Sequence, residues 1–290
     1  VVRTSSARGD EFDLPGGPDA VLLLHGLTGS TFEVLPVAER LHAAGMRCLA
    51  PRMAGHAGGP EALGDVSYTE WIAQARRDLE RLAGARRTFL VGCSMGALVA
   101  CALAHDHPER ADGLVLLAPA LELQLQGRLG ALLGRLGPLR RVVIPKAAGS
   151  DVRDPEMRAA NPAFPGVPLG AVAELAKLAR HVDAQLPGIA APALVIAGGH
   201  DHTVTLGGAR RLARRIGSGP AALRVLPESW HLVGIDVERE RCAEAAARFL
   251  EALPIPGGRR REAGPAPSRR RKAGATASKG KGGAGRRRRR

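Results

Sequence analysis

The 290-residue sequence predicts an α/β fold, a mainly parallel sheet with helices on both faces and a small helical cap inserted into it. Short apolar runs alternate with helical patterns from residue 20 to about 252. Those runs are continuously apolar, as strands buried on both faces are, and one gap of about seventy residues interrupts the alternation.

Taken in order, the first strand is expected at 20–26 ("AVLLLHG") and a helix at 33–44. A second strand at 46–51 ("MRCLAP") leads to a helix at 69–83, and a third at 88–93 ("TFLVGC") runs into a helix at 95–106 that is rich in small residues. The strand at 113–119 ("GLVLLAP") precedes the gap. Beyond it come a strand at 193–199, a helix at 205–217, a strand at 222–228 and a helix at 236–252 whose acidic residues gather near its start, where the helix dipole favours them. In a sheet of this kind a site lies beyond the carboxyl ends of the strands.

The gap carries two stripes at helical spacing, Leu125, Leu129, Leu132, Leu136 and Leu139, then Val172, Leu175, Ala179, Val182 and Leu186. They predict a cap over residues 120–190 whose apolar faces line a pocket above the strand ends. With 45% hydrophobic but only 3% aromatic residues, the core must be filled mainly by Leu, Val and Ala. Residues 1–256 are expected to form one domain, since α/β folds of about 250 residues commonly stand as one unit.

Cys48, Cys93, Cys101 and Cys242 show neither C-x-x-C nor zinc-ligand spacing, which fits a reducing compartment. No apolar run approaches the roughly 18 residues of a membrane span, so the chain is expected to be soluble and cytoplasmic. The formal net charge of +14 is concentrated at the end: residues 257–290 hold fourteen Lys or Arg against one Glu. With little to bury and like charges in blocks, this stretch is expected to be a disordered basic tail. Its "RRR", "RRRK" and "RRRRR" blocks could contact nucleic acid or an anionic surface nonspecifically, but no aromatic residue is interleaved for base stacking.

The chemistry centres on Gly92-Cys93-Ser94-Met95-Gly96, a G-x-S-x-G motif with a strand before it and a helix after. A nucleophile raised above the strand ends needs a tight turn, and Gly92 and Gly96 sit where side chains would clash. A serine hydroxyl also needs a base, and the base needs an orienting acid. Asp201 in "AGGHDHTV" and His231 in "PESWHLVG" follow the last two strands in the order Ser, Asp, His. His200 and His202, and for the acid Asp151 and Asp154, are their rivals. Oxyanion donors are expected at the backbone N–H groups of Met95, just after the serine, and Leu27 in "HGLTGS". That loop lacks the lysine of a phosphate-binding G-x-x-x-x-G-K-[ST], and the remaining histidines show no metal-ligand pairing. No metal or cofactor is implied.

"VLLLHGLTGS", "PRMAGHA", "VGCSMGA", "GGHDHTV" and "ESWHLVGID" together resemble the bacterial carboxylesterases and monoacylglycerol lipases of the α/β-hydrolase superfamily, from residue 20 to about 252. The resemblance implies a capped α/β-hydrolase that cleaves carboxylic esters, with Ser94, Asp201 and His231 as triad and Leu27 and Met95 as oxyanion donors. The chain departs from the family pattern at Ala97, Ala57 and Ala54, where a third glycine, the last glycine of G-H-G and a proline are usual. The leucine-rich insertion points to short- to medium-chain acyl esters, with monoacylglycerols among the candidates. The same triad serves thioesterases, acyltransferases and perhydrolases, and a hydrolase tethered to nucleic acid by its tail is a further alternative. Activity through a neutral histidine should rise with an apparent pKa near ~6.5–7.

Overall fold

The computed structural model describes residues 9–255; the calls on the basic tail lie outside the described residues. In chain order the elements are β1 (Phe12–Leu14), β2 (Asp19–Leu24), α1 (Leu35–Ala43), β3 (Arg47–Ala50), α2 (Gly59–Asp65), α3 (Tyr68–Glu80), β4 (Arg87–Cys93), α4 (Met95–Asp106) and β5 (Gly113–Leu117). An insertion follows, with α5 (Leu125–Leu133), β6 (Val143–Pro145), α6 (Pro155–Ala160), β7 (Gly166–Pro168) and α7 (Leu169–Gln185). The chain then returns through β8 (Ala193–Gly198), α8 (Leu206–Arg215), β9 (Ala222–Leu226) and α9 (Arg239–Ala252).

Seven strands form one sheet in the order β1-β3-β2-β4-β5-β8-β9, parallel except for β1 at one edge. Every strand expected from the sequence is present. The buried residues of each central strand divide between two cores. Leu22, Leu24, Leu90, Leu114 and Leu116 face the core shared with α3, α4 and α7; Val21, Leu23, Phe89, Val91, Val115 and Leu117 face the one shared with α1 and α9. This two-sided burial is why the strands read as unbroken apolar runs. Helix α4 is buried from Met95 to Ala104, and its alanines and Cys101 let it lie close to the sheet.

The structure adds the edge strand β1 and the short helix α2 to the elements expected, and two features of the insertion differ from the sequence reading. The insertion contains a short antiparallel strand pair, β6 with β7, as well as helices. The first leucine stripe faces largely outward: Leu125, Leu129, Leu132 and Leu136 are 54–68% exposed, and only Leu139 is half-buried. The face of α5 turned inward is made of small residues. A Cβ on Gly134 would sit 2.0 Å from the Leu169 carbonyl oxygen, and one on Gly130 would touch Leu169 and Val172, so α5 lies tight on the start of α7 and its leucines turn out. In the second stripe Leu175, Ala179, Val182 and Leu186 are buried in the core shared with α4.

Candidate active site

Ser94 stands at the β4–α4 junction with φ 55° and ψ −110°, a left-handed conformation that side chains rarely adopt. Neighbouring backbone fixes the turn: Ser94 N–H donates to the Leu117 carbonyl (2.8 Å), and the Ala120 N–H donates to the Ser94 carbonyl (3.3 Å). The flanking glycines are required by space. A Cβ on Gly92 would meet the Gly96 carbonyl carbon at 2.3 Å, and one on Gly96 would meet the Leu24 carbonyl oxygen at 2.1 Å.

The three candidate side chains lie in one hydrogen-bonded row. His231 Nε2 is 2.9 Å from Ser94 Oγ, and His231 Nδ1 is 2.8 Å from Asp201 Oδ2. The other Asp201 oxygen accepts from the backbone N–H groups of Thr203 (2.8 Å) and Val204 (2.7 Å), which orients the carboxylate. Burial favours neutral forms at both groups. The attraction between them prevails, so Asp201 is held below the usual aspartate value and His231 above the usual histidine value, with smaller help to His231 from Asp151 and Glu33.

The rival residues are engaged elsewhere. Asp151 accepts from the N–H of His202 (3.0 Å) and the hydroxyl of Thr203 (2.9 Å), and its other oxygen meets His202 Nδ1 (2.8 Å). Asp154 caps α6 and pairs with Arg239. His200 is exposed.

The loop that carries Leu27 comes against the serine: a Cβ on Gly26 would lie 3.3 Å from Ser94 Cβ. His25 beneath it is wholly buried, its Nε2 accepting from the Met53 N–H (3.0 Å) and its Nδ1 lying 2.9 Å from the Gly26 carbonyl. Burial and the neighbouring His56 keep its pKa well below the ordinary histidine value, so the ring is a neutral strut. His56 stacks on Phe164 of the insertion and likewise stays neutral, its pKa lowered to about 4 mainly by burial.

Three residues that sequence reasoning did not single out complete the surroundings. Glu33, 2% exposed, takes the Gly26 N–H on Oε2 (2.8 Å) and fills the space that a side chain at Gly29 would need. Burial raises its pKa, against the pull of that N–H and of Lys146. Lys146, at the end of β6, donates to Thr28 Oγ1 (2.6 Å), while the Phe164 N–H donates to the Thr28 carbonyl (2.8 Å); the insertion is thereby tied to the loop beside Leu27. Asp236, wholly buried, accepts from the N–H groups of Trp230 (2.6 Å), Arg153, Asp154 (both 2.9 Å) and Val237 (2.8 Å), joining the His231 loop to the insertion. A polar residue inside an otherwise apolar stretch, Glu33 in "TFEVLPV" and Asp236 in "HLVGIDV", was the available signal.

A serine on a strained strand–helix turn in line with a histidine and a carboxylate has the layout of a hydrolase that works through an activated hydroxyl. Family comparison agrees: residues 18–238 match the Hydrolase_4 profile, described as serine aminopeptidase, S33. The chain belongs to this family. It is 28% identical over 242 residues to a thermostable monoacylglycerol lipase of Bacillus sp. (strain H-257), covering 83% of this chain and 94% of the relative. To a carboxylesterase of Bacillus subtilis (strain 168) it is 25% identical over 244 residues, covering 83% and 96%. A solved structure from work on the metagenome-derived lipolytic enzymes LipS and LipT superposes with a TM-score of 0.77 at 25% identity, covering 84% of this chain and 98% of that one. The chain is therefore an α/β-hydrolase, a serine hydrolase of the esterase and monoacylglycerol lipase type. Among the described residues no helix is long and apolar enough to cross a membrane.

Proposed function

We propose that the protein hydrolyses short- to medium-chain carboxylic esters, monoacylglycerols among them, through an acyl-enzyme on Ser94. The observation that carries this reading is the row from Ser94 Oγ through His231 to Asp201, with spacings of 2.9 and 2.8 Å, built on a serine held at positive φ. His231 takes the hydroxyl proton as Ser94 Oγ attacks the ester carbonyl, and Asp201 stabilises the imidazolium that forms. The negative charge on the carbonyl oxygen is met by the N–H groups of Leu27 and Met95. Collapse of the tetrahedral intermediate breaks the bond to the alcohol, which leaves with the proton from His231. A water then attacks the acyl-enzyme, giving up its proton to His231; collapse releases the acid and returns that proton to Ser94.

Ser94 and His231 are each only 5% exposed, so an ester must reach them beneath the insertion, which we read as a cap over residues 120–190. The relatives named above, a monoacylglycerol lipase and a carboxylesterase, support the substrate class. The four cysteines, all buried and free, support a cytoplasmic location. The test is hydrolysis of p-nitrophenyl esters from acetate to palmitate by the wild type beside Ser94→Ala. Activity with an optimum at short or medium chains, absent in Ser94→Ala, is expected. A folded protein inactive on every ester, or an equally active Ser94→Ala, overturns the reading.

A further inference from the structure

Among the described residues three non-glycine positions have positive φ: Thr28, Ser94 and Ala118. Ser94 is the proposed nucleophile, and Ala118 follows the strand beside it. Thr28, at φ 61°, follows the proposed oxyanion donor Leu27, and it alone of the three is β-branched, the kind of side chain that this conformation suits least. The conformation makes a tight turn. Gly29 N–H donates to the Gly26 carbonyl (3.2 Å), with Leu27 and Thr28 at the centre of the four residues. That carbonyl, which His25 Nδ1 also approaches (2.9 Å), belongs to the same peptide unit as the Leu27 N–H. Because the unit is planar, fixing the carbonyl fixes the direction of the N–H. A turn with positive φ at its third position ordinarily takes Gly or Asn there, so Thr28 has to be held in place.

Two of the holding contacts come from the insertion. Lys146, directly after β6, donates to Thr28 Oγ1 (2.6 Å), and the Thr28 hydroxyl donates in turn to the Leu27 carbonyl (2.5 Å). The Phe164 N–H donates to the Thr28 carbonyl (2.8 Å). One strand pair sets both residues: the Lys146 N–H donates to the Pro165 carbonyl (2.8 Å), next to the pairing of Pro145 with Gly166. The Lys146 ammonium makes no ion pair among the described residues, and burial lowers its pKa against the attraction of Glu33. His56, which faces the same ammonium, is kept neutral mainly by its own burial. A cation drawn out of water onto a neutral hydroxyl is costly to keep for packing alone. A charged donor also strengthens the bond that the hydroxyl makes onward.

We propose that Lys146 is a positioning residue for ester hydrolysis: through the Thr28 hydroxyl it holds the turn over residues 26–29 in the strained form that aims the Leu27 N–H at the oxyanion. The inference rests on the reading of Ser94 as nucleophile and Leu27 as donor. Lys146 touches neither the serine nor the histidine, and its effect on the reaction passes through Thr28. The donor is then aligned by the insertion as well as by its own loop, and Glu33, which takes the Gly26 N–H (2.8 Å), holds the peptide unit just before it.

The test uses the full-length protein and Lys146→Met, which keeps an apolar stem and removes the charge. On p-nitrophenyl acetate and butyrate alike it is expected to lower kcat about 10-fold with little change in KM, because the donor's alignment matters in the transition state rather than in the bound ester. Lys146→Arg, which still offers N–H donors to Thr28 Oγ1, should recover most of the loss. In a Thr28→Gly background, where glycine takes positive φ with no hydroxyl to hold it, Lys146→Met should cost less than about two-fold. Backbone hydrogen exchange over residues 26–30, read by mass spectrometry, should quicken in Lys146→Met while exchange in β4 and α4 stays unchanged. A loss carried by KM, or one undiminished in the Thr28→Gly background, would mean that Lys146 holds the substrate itself and overturn the proposal. Unchanged kcat and unchanged exchange would overturn it as well. If the wild type is inactive on every ester, the proposed function fails; faster exchange of this loop in Lys146→Met then still upholds the hold on the turn, and unchanged exchange refutes it.

Discussion

Around Ser94 the charged and polar side chains are buried and tied to backbone groups, whereas along α5 the leucines are exposed. Glu33, Asp236 and His231, all 5% exposed or less, stand within one or two residues of loops that must keep their shape, while Leu125 is 68% exposed on a helix held down by glycines. In the first region polar groups set geometry, and burial makes each hard to remove. In the second, close backbone packing holds the helix, and its large apolar groups remain available to something outside the chain.

That contrast orders the expected effects. Removing His231 should be the most damaging to chemistry: His231→Ala should lower kcat on p-nitrophenyl butyrate by about 10⁴-fold or more with its fold intact, because serine and base act as a unit. The buried carboxylate of Asp236 should matter most for stability. Asp236→Ala strands four N–H groups and should cost about 3 kcal/mol or more in chemical denaturation, and Leu175→Ala on the buried stripe of α7 about 2–5 kcal/mol.

Glu33 divides the two roles. Glu33→Ala frees the Gly26 N–H and should lower kcat by roughly 10-fold or more, with less change in KM, as the proposed Leu27 donor loses its alignment. Glu33→Gln keeps an acceptor oxygen and should restore much of kcat, while moving the rise of activity to lower pH because one of the anions favouring the charged His231 is gone. In the wild type that rise is expected above the ordinary histidine value near 6.5, since Asp201, then Asp151 and Glu33, outweigh the effect of burial. Activity is lost as pH falls through that value, because protonated His231 cannot accept the Ser94 proton. The smallest effect belongs to the other region: Leu129→Gln should change stability by less than about 0.5 kcal/mol. A cost as large as that of Leu175→Ala would show that α5 is buried in solution and erase the contrast.

The parts legible in the sequence are those where one physical demand dominates. The central strands are buried on both faces and read as unbroken apolar runs, and Gly92 and Gly96 are dictated by contacts too short for any Cβ. The edge strand β1 was missed because three residues, Phe12–Leu14, carry too short a pattern, and the β6–β7 pair because its two strands are equally short and each ends in proline. The leucine stripe of α5 was misread because helical spacing gives a face but not its direction. The direction lay in Gly127, Gly130, Ala131 and Gly134 on the opposite face, a series of small residues that marks close helix packing. Glu33 and Asp236 escaped because their partners are backbone N–H groups, which no side-chain motif records.

The central claim is that Ser94 is the nucleophile and His231 its base. Its most direct measurement is labelling of the intact protein with a fluorophosphonate at neutral pH, followed by mass spectrometry of the peptides. The account predicts one phosphonyl adduct per chain, on Ser94, and labelling slowed by orders of magnitude in His231→Ala. An adduct on another residue, or unchanged labelling of Ser94 in His231→Ala, would contradict it.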